Sequence, residues 1–195
     1  METMDTQSLA IAAVVILALV AIAVWLWNQK QQSRRLEQRF GPEYKRAVDQ
    51  FGSRPKAEAE LKTREKRVEK LDIVPLAPAD AERFRQDWKI LQGRFVDNPK
   101  GALLEADQLV RELMLKRGYP MADFEHRAAD ISVDHPAVVD HYRAAQEISA
   151  RDRRGEADTE DLRKAVVHYR ALFDDLLEVG EPATTERGKE HMEVH

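Results

Sequence analysis

LAIAAVVILALVAIAVWLW, residues 9–27, is a run of 19 apolar residues without a charge, a glycine or a proline. As a helix it rises about 28 Å, close to the roughly 30 Å hydrocarbon core of a bilayer. In lipid the backbone amides can be satisfied only internally, so a single crossing segment has to be helical. Trp25 and Trp27 close the run, where indole rings favour the headgroup boundary. A core helix of a soluble domain is rarely apolar on every face for this length. The preceding flank, METMDTQS, contains Glu2 and Asp5 and none of the basic residues of a signal-peptide n-region. Residues 9–27 therefore read as an uncleaved transmembrane helix behind a short flank, 1–8.

Outward from this run, Lys30, Arg34, Arg35 and Arg39 follow within about a dozen residues, and no basic residue precedes it. Positive charge stays on the cytoplasmic side. The expected placement is a single-pass protein of the plasma (inner) membrane, N-terminus outside and C-terminal domain cytoplasmic. Lys30, Arg34, Arg35 and Arg39, with Trp25 and Trp27, are the candidate membrane-surface residues, the lipid bilayer being the first expected partner.

Charge divides the remainder of the 195 residues. Residues 28–71 carry 13 basic and 7 acidic side chains, and residues 72–195 carry 18 and 26. A basic juxtamembrane stem, 28–71, is thus set against an acidic distal domain, 72–180. With acids interleaved from Glu37 onward, nucleic acid is not an expected partner. The absence of cysteine excludes disulfides, thiolate zinc sites and a cysteine nucleophile.

The stem reads as helix in pieces. The membrane helix continues to Phe40, where Gly41 suits a C′ position and Pro42 the first turn of the next helix. Tyr44, Val48 and Phe51 follow helical spacing up to Gly52. From Pro55, the residues Ala57, Leu61, Arg64, Val68 and Leu71 form a thin seam with one basic intruder. Two heptads do not make a coiled coil, so this piece reads as a solvated helix packed on one side.

DIVPLAPAD, with Pro75 and Pro78, breaks the helix and marks the boundary. Beyond it Phe84, Trp88, Leu91 and Phe95 recur at helical spacing, then Leu103, Ala106, Leu109, Val110, Leu113 and Met114. A short segment from Met121 to Ala129 points Phe124 and Ala128 inward. Pro136 is read as opening a long helix capped by Asp134, with Val138, Val139, Tyr142, Ala145 and Ile148 inside. The last helix, capped near Asp158, carries Leu162, Val166, Tyr169, Leu172, Phe173, Leu176 and Leu177. The fold class is all-α: an N-terminal transmembrane helix, a charged helical stem, then a compact antiparallel helical bundle. Residues 181–195 lack a periodic stripe and read as a disordered tail.

The phosphate-loop, dinucleotide, zinc-protease and serine-hydrolase motifs are all missing. Reactive side chains concentrate between Asp123 and His141, where His126, Asp130, His135 and His141 are the candidate metal ligands, N/O donors suited to zinc, iron or manganese. The same spacing describes acid–His pairs on a solvated helix, and no metal or other cofactor is expected. His141, His168 and Tyr169 read as interhelical packing residues. AVVDHYRAA (137–145) and AVVHYRAL (165–172) share His-Tyr-Arg-Ala, but the extra Asp140 rotates one copy by about 100° relative to its valines, which favours convergence over duplication.

RFGPEYKRAV (39–48), KAEAEL (56–61), REKRVEKLDI (64–73), RGYP (117–120) and FEHRAADISVDHP (124–136) resemble an uncharacterised family of short, single-pass bacterial membrane proteins with an α-helical soluble domain. The resemblance spans residues 39–178. It implies the anchor-plus-helices architecture and brings no activity or site residues. The expected function is a non-enzymatic interaction or scaffold module that binds another protein or itself. The alternative is a metal- or small-ligand-binding enzyme built on residues 123–141.

Overall fold

The computed structural model describes residues 6–177, and the tail expected at 181–195 lies outside them. Among the described residues every regular element is helical: α1 (Thr6–Phe40), α2 (Pro42–Phe51), α3 (Arg54–Val68), α4 (Pro78–Arg94), α5 (Pro99–Lys116), α6 (Phe124–Asp134), α7 (Val139–Arg153) and α8 (Thr159–Leu176). The all-α class follows directly.

Helix α1 runs unbroken through the apolar segment into the stem, about 52 Å in all. Its part from Ala13 to Phe40 is long enough to cross a membrane and contains an 18-residue stretch apolar enough to do so. Among the described residues nothing covers its apolar part: Val14, Leu17, Trp25 and Trp27 are each more than 60% exposed. Its last turns behave differently, with Leu36 and Phe40 buried. Gly41, at φ 48°, ends the helix where a side chain would be strained, and Pro42 starts α2.

Two apolar cores result. Leu36, Phe40, Tyr44, Ala47, Ala57, Leu61 and Val68 form a small one under α1, α2 and α3. The α3 seam Ala57, Leu61, Arg64 and Val68 is buried as read. It packs within its own chain and so offers no free coiled-coil face. The larger core joins α4, α5, α7 and α8, with Trp88 stacked on Phe173 at a centroid distance of 4.5 Å.

Consecutive long helices pair antiparallel, as Arg94–Glu105 (3.0 Å) and Arg151–Asp161 (2.6 Å) record. The central contact of the bundle departs from the reading. Tyr169 bonds Asp107, and Arg117 reaches the Leu176 carbonyl, so α5 and α8 run in the same direction. The intervening α6 and α7 bring the chain back before α8 begins.

Two boundaries also need correction. Helix α6 extends to Asp134, past the expected end at Ala129, and seven successive residues, Arg127 to Val133, are buried. It is wedged between the two cores, sending Ala128 and Ile131 into one and Val133 into the other. Asp134 therefore belongs to α6 and caps nothing, while residues 136–138 form a turn and α7 begins at Val139 without a side-chain cap. Asp123 caps α6, Asn98 caps α5 and Asp158 caps α8.

The connection between stem and bundle is tied down at one glycine. Gly118 has φ +98°, and a Cβ there would lie 2.2 Å from the Asp72 carbonyl oxygen. Next to it the Val74 N–H donates to the Arg117 carbonyl at 2.9 Å. Left-handed strain and backbone overlap together are expected to make Gly118→Ala destabilising by about 2–4 kcal/mol. Gly93, exposed in α4 with open space around it, is the control: Gly93→Ala is expected to stabilise by about 0.5–1 kcal/mol in the same denaturant titration.

Candidate functional site at the joint between stem and bundle

The most concentrated arrangement of charge lies where the stem meets α6 and α7. Glu43 on α2 is 1% exposed. Its Oε1 accepts from Arg64 Nη1 at 3.0 Å and from Arg143 Nη2 at 2.6 Å. Arg64, the basic intruder of the α3 seam, also donates through Nε to Glu60 at 3.1 Å. A second link joins α3 to α6: Arg67 Nε donates to the buried Asp130 at 2.7 Å. A third starts on α1, where Arg39 lies 3.1 Å from Glu65 and 3.9 Å from Asp134. Tyr44 donates to Glu58 at 2.8 Å, and burial together with that carboxylate pushes its phenol up to about 12. Basic stem and acidic domain are thus complementary halves of one joint, with Glu43 and Arg143 reversing the polarity at its centre.

This placement sorts the candidate membrane-surface residues. Lys30 and Arg34 stand exposed on α1 beyond Trp25 and Trp27. Arg39 lies beside Glu65 and Asp134, and Arg35 is 3.8 Å from Glu65.

The four candidate metal ligands do not meet one another. His126 Nδ1 lies 2.6 Å from Asp123, the N-cap of α6, whose carboxyl is held below its usual range by the His126 N–H and ring. Asp130 is spent on Arg67. His135, buried at the end of α6, reaches Asp175 on α8 at 2.5 Å. His141 faces His168, Nδ1 to Nδ1, at 2.8 Å. Among the described residues no three His, Asp or Glu side chains gather into a metal-binding group. The acid/His-rich stretch divides because its members sit on different faces of α6 and α7: His126 pairs with its own helix's N-cap, and Asp130, His135 and His141 each face a partner on another element.

Comparison of the chain with family models, with curated proteins and with solved structures found no match. The site is accordingly read from its own chemistry. Its carboxylates are engaged by arginines, and its tyrosines are buried. Tyr169 bonds Asp107, Gln146 and Ser149, and burial raises its phenol well above the ordinary range; Arg127 donates to Tyr142 at 3.1 Å. The packing role read for Tyr169 holds, whereas His141 is exposed and His168 half-buried at the surface seam of α7 and α8.

Sequence reasoning passed over Glu43, Arg143 and Asp175. Each is one charge among many in the sequence, and no local pattern marks it. His168 did carry a signal in the repeated His-Tyr-Arg-Ala. Its phase argument compared each copy with its valines, but the meeting of α7 and α8 depends on the His-Tyr pair itself.

Removing the carboxylate of Glu43 leaves two guanidiniums facing each other with little water. Glu43→Gln is expected to cost about 3–5 kcal/mol, against less than about 1 kcal/mol for Asp87→Asn in the exposed Arg83–Asp87 pair, by chemical denaturation in micelles. His168 supplies a pH test. Partial burial and His141 lower its pKa from 6.5, so the unfolded chain takes up the proton first as pH falls. The contribution is complete above 6.5 and is lost on acidification. The melting temperature of His168→Gln is therefore expected to fall less than that of the parent between pH 7.5 and 5.

Proposed function

We propose that the protein is a membrane-anchored, non-enzymatic helical scaffold. One helix holds a soluble body at the membrane, and that body engages another protein or a second copy. The observation that carries this reading is the continuity of α1, whose exposed apolar length passes without a break into the buried Leu36 and Phe40. A flexible tether would let the body drift, but a helix whose last turns are core residues fixes body and membrane segment as one piece. The engaged state of the reactive side chains supports a binding role over catalysis, since a general acid or base needs a free position facing a substrate.

The topology proposed is N-terminus outside and body in the cytoplasm, on the strength of the exposed Lys30 and Arg34 after the span. The plasma membrane of a bacterium is the proposed location, in keeping with the resemblance to short single-pass bacterial membrane proteins.

The chain has no cysteine, so an engineered one is its sole thiol. Lys164→Cys, at an exposed position of α8, is expected to resist an impermeant maleimide in intact cells and to react after lysis, while Thr6→Cys reacts in intact cells. Labelling of Lys164→Cys from outside would reverse the topology. Recovery of the chain in the supernatant after carbonate extraction would remove the anchor altogether. For the scaffold role, a photo-crosslinker at the exposed Leu104 or Val167 is expected to yield a discrete adduct in cells. Monomer alone at both positions, and at Ile90, would count against it.

A further inference from the structure

Helices α7 and α8 run antiparallel, and each carries the sequence His-Tyr-Arg-Ala. When two antiparallel helices present the same short motif at their crossing, a local twofold makes each motif meet its own copy. Tyr142 and Tyr169 turn inward with ring centroids 6.4 Å apart, both fully buried. The preceding residues, His141 and His168, come out at the surface of the seam with centroids 5.1 Å apart. Their Nδ1 atoms are 2.8 Å apart.

Two imidazole nitrogens at that distance share a single proton: one ring donates and the other accepts. Among the described residues no carboxylate bonds to either ring, whereas His126 and His135 each have one. The accepting ring's lone pair therefore faces the N–H of the donating ring, and a shift of that proton to Nε2 turns a second lone pair into the same space.

We propose that His141 and His168 form a two-histidine binding site for a divalent d-block cation, Zn²⁺ being the representative case. Imidazole is the donor that suits zinc, copper and nickel, and a cysteine-free chain offers no thiolate to draw the ion away. Nitrogen–metal bonds of 2.0–2.1 Å in a tetrahedral arrangement place the two nitrogens about 3.3 Å apart. The rings need to separate by about half an ångström, a small χ rotation at a surface seam. Binding requires the donating ring to move its proton from Nδ1 to Nε2, and no net proton is released when both rings are neutral. Water completes the coordination shell, and the ion crosslinks α7 to α8 above the tyrosine pair. This site is separate from the scaffold reading, which neither needs it nor is tested by it.

The test is titration of the full chain in micelles at pH 7.5 with Zn²⁺ alone, followed by calorimetry. Because His191 and His195 lie outside the described residues, the chain used carries His191→Gln and His195→Gln. One Zn²⁺ per chain is expected, with affinity at least about tenfold weaker in His141→Gln and in His168→Gln, since losing a ligand costs no less than losing a second-shell partner. Helical circular dichroism identifies any variant that has failed to fold, and the exposed His141 is the position where that risk is least. A second readout is the melting temperature, expected to rise with Zn²⁺ in the chain with both histidines and to stay constant in either variant. Absence of binding in the parent, or undiminished binding in both variants, would overturn the proposal. A stoichiometric ion that moves instead with His126→Gln or His135→Gln would do the same.

Discussion

Glu43 is a carboxylate withdrawn from water and held between two guanidiniums, one from α3 and one from α7. Desolvating such a charge is expensive, and the arrangement is tolerated only while both partners stay in place. Lifting the stem from the bundle breaks Glu43–Arg143, whereas Glu43–Arg64 stays within the stem. The Glu43–Arg143 pair, together with Arg67–Asp130 and Arg39–Asp134, is what turns two modest apolar cores into one body. A hydrophobic joint of equal area would hold at least as well in energy. Charge pairs add the requirement of one register, because only one approach of α2 and α3 matches all of them.

Helix α6 is the element that makes this joint possible. It is buried along Arg127–Val133, with aliphatic side chains shared between the cores and polar ones committed to the surrounding helices. Its surroundings on both sides come from far along the chain: Arg67 from the stem, Asp175 from α8, Tyr142 from α7. Gly118 plays the corresponding role for the connection, since only a residue without Cβ lets the α5 terminus approach the Asp72 carbonyl. With α1 seated in the smaller core, the orientation of the bundle relative to the apolar part of α1 is set by packing.

Much of the fold is readable from local pattern. The span, the Gly41-Pro42 and Gly52 breaks, the α3 seam and the apolar faces of α4, α5 and α8 were all visible as periodicity and helix-end chemistry. Helix α6 was only half visible. Arg127, Asp130 and Ser132 look like a solvated face in sequence, yet they are buried with partners in place: Arg67, 63 positions away, for Asp130, the Tyr142 hydroxyl for Arg127, and the Ala129 carbonyl of the same helix for Ser132. The same cause dispersed the candidate ligands. His126, Asp130, His135 and His141 are near one another along the chain, yet helical rotation and the wedge position of α6 send each to a different neighbour.

Sequence by itself determined what solvation of single segments can decide: a helix that prefers hydrocarbon on every face, and a succession of amphipathic helices with their ends marked. It could not decide which charges pair, because the energy of a buried charge depends on groups supplied by distant elements. Tertiary structure alone made Glu43 a joint, turned Arg39 towards Glu65 and Asp134, set α5 parallel to α8 and brought His141 face to face with His168. In each case the deciding quantity is a distance between atoms remote in the chain, which periodicity does not encode.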